Sequence, residues 1–309
     1  MLIILGLALL LYGSTAAGEE APFVIVLGIG QDGGLPQLGR EDDPAWRGGR
    51  LPRTATSLAL VRPGTGQRWL FEATPDIRQQ MRRLSQWVPR DGTRGSYLDG
   101  IFLTHAHIGH YAGLMLLGHE SMGARDIPVY AMPRMRDYLT TNGPWTQLVD
   151  YGNIALRPLE ADRPTALGEE LRVTPFLVPH RDEFSETVGY RIDGPNRSLV
   201  FIPDIDSWEE FDAQGTAIEA LVQEVDYALL DATFFDNNEI PGRDMSGFPH
   251  PRIRDTMDRL SGLAEAVRNR VMFIHLNHTN PALDAESEAR SEIIRRGFSV
   301  AEPGQRLSL

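Results

Sequence analysis

The chain has 309 residues, of which 42% are hydrophobic and 23% charged, as expected for a globular protein with one large core. Its formal net charge of −12 argues against a nucleic-acid partner, which needs a basic surface to neutralise phosphates. The sequence contains no cysteine. Disulfides, thiolate metal sites and cysteine nucleophiles are therefore excluded, and any metal must be held by His, Asp, Glu and water.

The first residues have the pattern of a secretory signal peptide. Residues 2–11 are apolar apart from Gly6, and small residues follow in Gly13-Ser-Thr-Ala-Ala17, which is typical of an h-region and a cleavage site. The apolar run falls short of the ~20 residues of a transmembrane helix. No Lys or Arg precedes it, so an uncleaved anchor or a buried first strand after a misassigned start are the alternatives. We predict a signal peptide over residues 1–17, one domain over 18–309, a periplasmic or secreted location and no stable membrane insertion after cleavage.

The first predicted strand is Phe23–Leu27, and a glycine-rich loop follows it up to Pro36. Gly28, Gly30 and Gly33 satisfy the G-x-G-x-x-G spacing of dinucleotide sites. That motif has to open a helix, and a proline so close behind prevents a helix from starting there. The pattern therefore favours a loop at a strand end, near a ligand, over a dinucleotide site.

Short β-rich runs and helical patterns then alternate along the chain. Further strands are predicted at Ser57–Leu60, Trp69–Glu72, Ile101–Thr104, Val129–Ala131, Leu171–Val178, Val188–Ile192, Leu199–Ile202, Tyr227–Leu230 and Val271–Ile274. Helices are predicted at Asp76–Ser85, Tyr111–Leu117, Arg134–Thr141, Thr216–Glu224, Ile253–Val267 and Asp284–Arg296. Hairpin-like pairs in mid-chain indicate mixed sheets flanked by helices rather than a simple parallel, doubly wound sheet.

Three of the eight histidines lie within six residues, in His105-Ala-His107-Ile-Gly-His110. They follow the predicted strand Ile101–Thr104 and precede a helical pattern. Residues two apart in an extended chain point the same way, so His105 and His107 can face one ion while His110 approaches from the first helical turn. Neutral imidazole is a common ligand of zinc and iron. The alternative is a chance cluster of structural histidines.

Three further polar residues, His180, Asp204 and His275, each end a predicted strand. Taken singly, each is best interpreted as an ordinary polar residue at a strand end. Together with the histidine cluster they indicate a site at one sheet edge, because the strands of a sheet bring their ends together.

This order of His-x-His-x-x-His, a later His, an Asp and a final His resembles the metallo-β-lactamase superfamily. The resemblance implies an α/β (α+β) fold, a four-layer αββα sandwich with its metal site along one edge of the two sheets. The segments Val24–Gln37 and Phe273–Pro281 are similar to the pyrroloquinoline quinone biosynthesis protein B branch. Cyclic phosphodiesterases of phosphonate metabolism share the His-x-x-His form near the end.

Carried over by position, the resemblance implies that His105, His107 and His180 hold a first metal. Asp204 would bridge to a second metal, held also by His110 and His275. The family pattern is His-x-His-x-Asp-His, and here Gly109 stands where the Asp belongs. The second site is then weak, completed by another carboxylate, or missing. On this reading a Gly109→Asp change is expected to raise the metal content.

Zinc is the expected cofactor, with one ion favoured and a second left open, and iron or manganese are the alternatives. The branch's extra structural zinc is not expected without cysteines. Metal-bound hydroxide would attack an ester, lactone, amide or phosphodiester. The predicted catalytic residues are His278, His250 and Asp204.

Each remaining candidate has a second interpretation. His250 could be a plain loop residue, and His278 could orient a ligand. Asp231 could brace a ligand, substitute for the missing Asp or simply cap its strand. Other residues are placed by their position in the predicted elements: Gln31 and Asp32 as pocket lining, Glu72 and Asp76 as scaffold, and His119 on a helix face.

The resulting prediction is a metal-dependent hydrolase of a small molecule. Two alternatives remain open at this point. One is an iron-dependent oxidative enzyme like the quinone-biosynthesis branch, and the other is a non-catalytic protein with a degenerate site. The sequence does not indicate the substrate or the oligomeric state.

Overall fold

The protein is represented by a computed structural model that describes residues 20–48, 52–89 and 97–309. The predicted signal peptide, residues 1–17, lies outside the described residues. Within those ranges no helix is both long and apolar enough to cross a bilayer.

Fourteen strands form two sheets of seven strands each across the described ranges. In spatial order the first sheet contains β14 (Arg306–Ser308), β1 (Phe23–Gly28), β2 (Ser57–Arg62), β3 (Gln67–Phe71), β4 (Gly100–Phe102), β5 (Ile127–Ala131) and β6 (Ile154–Pro158). The second sheet contains β13 (Ser299–Val300), β12 (Val271–Ile274), β11 (Tyr227–Asp231), β10 (Ser198–Ile202), β9 (Val188–Asp193), β8 (Arg172–Leu177) and β7 (Thr165–Ala166).

The two sheets repeat one pattern of strand pairing. In the first sheet the pairs from β14 to β3 are antiparallel and those from β3 to β6 are parallel. In the second sheet the pairs from β7 to β10 are antiparallel and those from β10 to β13 are parallel. Strands β1, β3 and β4 therefore run in one direction in their sheet, and β8, β10, β11 and β12 do so in theirs.

The main core lies between the sheets. Along β1, Val24 and Val26 belong to the cluster shared with the second sheet, whereas Ile25 faces a separate cluster on the outer side. This alternation follows from the period of two in a strand. Phe71 lies with its ring centroid 5.3 Å from that of Tyr190 and 6.4 Å from that of Phe201, so the sheets are in direct aromatic contact.

Helices cover the outer faces of both sheets. The α-helices are α1 (Ile77–Trp87), α2 (Ile108–Tyr111), α3 (Pro133–Thr141), α4 (Trp145–Asp150), α5 (Trp208–Ala213), α6 (Ile218–Glu224), α7 (Ile253–Arg259), α8 (Glu265–Arg268) and α9 (Glu288–Arg295). Residues of α1, α3 and α4 belong to the outer cluster of the first sheet, and residues of α5, α6, α7 and α9 pack with the second. The predicted sandwich of two mixed sheets flanked by helices is confirmed.

Two predicted helices differ from the structure. The pattern over Tyr111–Leu117 indicated one helix, but α2 ends at Tyr111 and residues Ala112–Leu117 form a 3₁₀ helix. The pattern over Ile253–Val267 indicated a single helix, but the chain forms α7, a 3₁₀ turn at Leu260–Gly262 and then α8. Leu263 between them is extended, with φ −77° and ψ 153°. Glycine is a poor helix former, and Gly262 accounts for the break.

Candidate metal centre

The polar residues of the site collect at one edge because their strands end there. His105 follows β4, and Glu72 directly follows β3 in the first sheet. In the second sheet His180, Asp204 and His275 follow β8, β10 and β12. Strands that run in the same direction present their carboxyl ends on one side, so the pairing pattern brings these residues together.

The first ligand group contains His105, His107, His180 and Asp204, whose candidate ligand atoms lie within 4.8 Å of one another. The Nδ1 atom of His107 lies 2.9 Å from Nε2 of His105 and 3.1 Å from Nε2 of His180. Asp204 Oδ2 lies 3.5 Å from Nε2 of His105 and 3.6 Å from Nε2 of His180. Three imidazoles and one carboxylate thus converge on one point.

The second group contains Asp32, His110 and His275, within the same limit. Nε2 of His110 lies 3.3 Å from Asp204 Oδ2 and 3.6 Å from Asp32 Oδ1. Nε2 of His275 lies 3.8 Å from the same Asp204 oxygen. Asp204 therefore borders both groups, as a bridging carboxylate would.

The distances between these side chains suit ligands of a shared metal ion better than direct hydrogen bonds between the side chains. Nε2 of His110 and Nε2 of His275 are buried and make no hydrogen bond, although an unpartnered buried polar atom is costly. Two ligands of one tetrahedral zinc, each ~2.1 Å from it, lie about 3.4 Å apart. The separations around Asp204 Oδ2, between 3.3 and 3.8 Å, are close to that value and long for direct hydrogen bonds.

The ring nitrogens that face away from the ligand groups meet oxygen atoms. Nδ1 of His105 lies 2.8 Å from Thr104 Oγ1, and Nδ1 of His180 lies 2.7 Å from Asp206 Oδ1. For His107 and His275 the partners are Glu183 Oε2 at 3.3 Å and Thr233 Oγ1 at 3.0 Å. Nδ1 of His110 lies 3.6 Å from Glu72 Oε1 without a hydrogen bond. Such outer partners fix the tautomer and orientation of metal-binding imidazoles.

The local electrostatics suit metal binding. Burial lowers the pKa of His105 well below its ordinary value, and burial also lowers the pKa of His107 and of His275. Burial opposes ionisation of Asp204, but the electrostatic interaction with the His275, His180 and His250 rings outweighs burial and holds the Asp204 pKa well below its usual range. Neutral imidazoles and an ionised carboxylate are the states that bind metal.

His110 shows the complementary effect. Burial alone would lower its pKa, but the carboxylates of Glu72, Asp204 and Asp32 raise it well above the ordinary value. Glu72 is fully buried, its carboxylate oxygens make no hydrogen bond, and its backbone φ of 75° lies in the left-handed region. Two carboxylates, those of Glu72 and Asp204, are thus buried against His110.

His250 lies beside the metal groups and is held by carboxylates. Its Nδ1 lies 2.8 Å from Asp231 Oδ2 and 3.1 Å from Asp204 Oδ1. Burial opposes its protonation, but these two carboxylates outweigh burial and raise the pKa of His250 to about 10. Asp231 also accepts hydrogen bonds from the backbone N–H groups of Ile205 and Thr233, at 3.0 and 2.8 Å. Asp231 therefore braces His250, and with Asp204 and His250 it forms a third group whose candidate ligand atoms lie within 4.8 Å of one another.

A cavity of about 560 Å³ opens onto the site. Its walls combine metal-group residues with aromatic and basic side chains: Gln31, Asp32, Gly33, Pro75, Ala106, His107, Ile108, Gly109, Tyr111, Tyr138, Arg181, Phe184, Asp204 and His250. The hydroxyls of Tyr111 and Tyr138 are hydrogen-bonded to each other at 2.8 Å. The cavity is large enough for a small molecule.

The structure brings together His105, His107, His110, His180, Asp204 and His275, with His250 beside them. It does not bring His278 to this cluster. Nε2 of His278 lies 3.4 Å from Nη1 of Arg40, and His278 is not among the residues that line the cavity. The chain turns after His275, where Asn280 N–H bonds to Asn277 O at 2.9 Å, and this turn directs His278 elsewhere.

Glu72, which was predicted as scaffold, lies against His110. Asp206, which holds the His180 ring, was not predicted as a site residue. Gly109→Asp was also expected to add a ligand. The structure contradicts the assumption behind that expectation, because a Cβ atom at position 109 would lie 2.3 Å from Asp32 Oδ1. Asp76 is confirmed as scaffold, since its Oδ2 accepts the Ala55 N–H at 2.9 Å.

The chain is similar in sequence and fold to known proteins of one superfamily. The profile of the β-lactamase superfamily domain matches residues 67–276. Coenzyme PQQ synthesis protein B of Ruegeria pomeroyi is 30% identical, with 93% of this chain and 99% of that protein covered. The crystal structure of Zn²⁺-bound PqqB from Methylobacterium extorquens is 26% identical with a TM-score of 0.77, covering 93% of this chain and 100% of that one.

A diphosphatase of the PhnP family shares the fold, with 20% identity and a TM-score of 0.60 over 93% of this chain and 97% of that one. The chain belongs to the metallo-β-lactamase superfamily, and residues suited to a metal site are present in it. Within the superfamily it belongs to the PqqB-like branch.

Proposed function

We propose that this protein is a metal-dependent hydrolase that acts on a small molecule. The observation that carries the proposal is the convergence of His105, His107 and His180 on Asp204 at the mouth of a cavity. A zinc ion bound by imidazole and carboxylate ligands lowers the pKa of coordinated water to about 7 and so supplies hydroxide at neutral pH.

The remaining residues have separable roles. Asp204 borders both ligand groups and would offset part of the charge of a bound metal ion. Asp206 and Thr104 hold the rings of His180 and His105 in the orientation that aims Nε2 at the site. His250 lines the cavity and is fixed through Nδ1 by Asp231, so its Nε2 is the atom available to give a proton to a leaving group.

A second candidate function is a metal-dependent oxidative enzyme. It is supported by the similarity to proteins named for PQQ synthesis. A set of imidazole and carboxylate ligands can also hold iron, which supplies oxygen activation when open positions remain. The third alternative, a non-catalytic protein with a degenerate site, rested on Gly109, and it is weakened by the Asp32 carboxylate, whose Oδ1 lies 3.6 Å from Nε2 of His110.

The test is reconstitution of metal-free protein with zinc, iron(II) or manganese, followed by two assays. One assay measures turnover of chromogenic esters, lactones and phosphodiesters, and the other measures oxygen consumption. His107→Ala removes a proposed ligand. His119→Ala is the matched control, since His119 is an exposed histidine outside the ligand groups.

Zinc-dependent turnover that is lost in His107→Ala and kept in His119→Ala supports the hydrolase. Oxygen consumption with iron, together with no hydrolysis under any metal, favours the oxidative enzyme instead. A wild-type protein that binds none of the three metals overturns both proposals.

A further inference from the structure

Asp32 packs directly against Gly109 beside the second ligand group. A Cβ atom built on Gly109 would lie 2.3 Å from Oδ1, 2.5 Å from Cα and 2.9 Å from Cβ of Asp32. These separations are far inside van der Waals contact. The side chain of Asp32 therefore occupies the space that any side chain at position 109 would need.

Backbone conformation does not explain this glycine. Gly109 lies within α2 and is absent from the glycines with positive φ. A glycine inside a helix destabilises it relative to alanine. The close approach of Asp32 is the structural reason for glycine at this position.

The backbone holds Asp32 in place. Gly30 pairs with Leu276, the residue after His275, as an isolated parallel bridge. Within it, Gln31 N–H donates to Leu276 O at 2.8 Å, and Leu276 N–H donates to Ile29 O at 2.8 Å. Asp32 itself has a φ of 39°, in the region where aspartate is enriched among non-glycine residues. This loop from the first sheet is thus joined to the strand end that carries His275.

We propose that Asp32 is the carboxylate ligand of a second metal ion, together with His110, His275 and the shared Asp204, and that Gly109 provides the space for it. The inference rests on the proposed function only in assuming that the first ligand group binds metal. Two observations carry it independently: the unpartnered, buried Nε2 atoms of His110 and His275, and the exclusion of a side chain at position 109 by Asp32.

The arrangement has a consequence for the expected dinuclear motif. The family pattern places its aspartate beside the last histidine of the cluster, whereas here the carboxylate would come from the loop after β1. Asp32 Oδ1 lies 3.6 Å from Nε2 of His110, about the separation of two ligands on one zinc. The carboxylate ligand would come from a different segment of the chain than in the family pattern, but it would occupy the same position beside His110.

The experiment measures metal bound per chain. Metal-free protein is saturated with zinc, desalted and analysed by mass spectrometry of the metal, and zinc binding is followed by calorimetry. The variants are Asp32→Ala, Asp32→Asn and Gly109→Ala. The Asn variant keeps the shape of the loop if the Ala variant fails to fold. Asp42→Ala is the matched control, because Asp42 is an exposed aspartate bonded to Arg40.

We expect about two zinc ions per chain in wild type and Asp42→Ala, and about one in each Asp32 variant. Gly109→Ala should also hold about one, although it removes no ligand, because its methyl group displaces Asp32. If wild type and the Asp32 variants hold the same number of zinc ions, whether one or two, the inference is overturned and the proposed function stays intact. Two ions in Gly109→Ala would overturn the role given to Gly109. A wild type that binds no zinc would overturn this inference, and the proposed function itself falls only if iron(II) and manganese do not bind either.

Discussion

The hydrogen bond between Asp206 and His180 gives a quantitative test of the first ligand group. Asp206 Oδ1 lies 2.7 Å from Nδ1 of His180 and is the carboxylate that orients this ring. Its backbone is held separately, since Asp206 N–H donates to Pro179 O at 2.8 Å and Asp206 O accepts the His250 N–H at 3.1 Å. Replacing the side chain should therefore leave the loop in place.

Removal of such an outer partner typically weakens metal affinity by 10- to 100-fold, or about 1.4–2.7 kcal/mol. We expect Asp206→Ala to weaken zinc binding by that factor. Asp206→Asn should lose less, because its amide oxygen still accepts a hydrogen bond while the charge is gone. The affinity is measured by competition with a fluorescent zinc chelator.

Asp150→Ala is the control, since Asp150 is an exposed aspartate at the end of α4, outside the ligand groups. The thermal unfolding temperature of metal-free protein reports whether each variant folds. A zinc affinity of Asp206→Ala equal to that of wild type would refute the reasoning that His180 binds metal through a ring aligned by Asp206.

Three further predictions follow from the same structure. His107→Ala should abolish metal-dependent activity yet leave the circular dichroism spectrum of metal-free protein unchanged, because His107 is partly exposed at the rim of the site; loss of folded protein would instead mark the metal as structural. Zinc at about 100 times its Kd should raise the free energy of unfolding by about 2.7 kcal/mol, and a chelator should remove this increase. An unfolding temperature that changes with neither zinc nor chelator would contradict a preformed site. Burial raises the pKa of Glu239 to about 7 from 4.5. The favourable contribution of Glu239 to the free energy of unfolding is therefore full below pH 4.5 and is lost as the pH rises through 7. Glu239→Gln stays neutral and should reduce this loss of unfolding free energy by about 1–3 kcal/mol. Denaturant unfolding from pH 5 to 8 measures it, and parallel pH dependences for the two proteins would disprove the prediction.

Much of the fold could be predicted because its core strands have a clear pattern. The apolar run of β1 alternates between two cores, as Val24 and Ile25 show, and β-branched residues favour such strands. The elements that were missed have weaker signals. β6 carries exposed residues and ends in Pro158, as edge strands often do. β14 has only three residues, and one of them, Leu307, is buried.

The histidine positions could be predicted because each follows a strand along the chain. The contributions of Asp32 and Glu72 could not, because no spacing relates them to His110. Asp32 reaches the site through the pairing of Gly30 with Leu276, a contact between segments far apart in sequence. Glu72 directly follows β3 and meets His110 because β3 and β4 are neighbours in the sheet. The proximity of Asp32 and Glu72 to His110 is therefore set by tertiary structure and not by spacing along the chain.

The most direct test of the account is the location of metal in crystals of the zinc-loaded protein. Anomalous diffraction recorded on both sides of the zinc absorption edge shows where the ions lie, without any assumption about activity. We predict one peak about 2.0–2.2 Å from His105 Nε2, His107 Nδ1, His180 Nε2 and a carboxylate oxygen of Asp204. A second peak is predicted beside Asp32, His110 and His275. No peak within coordination distance of His105, His107 and His180 would contradict the central claim.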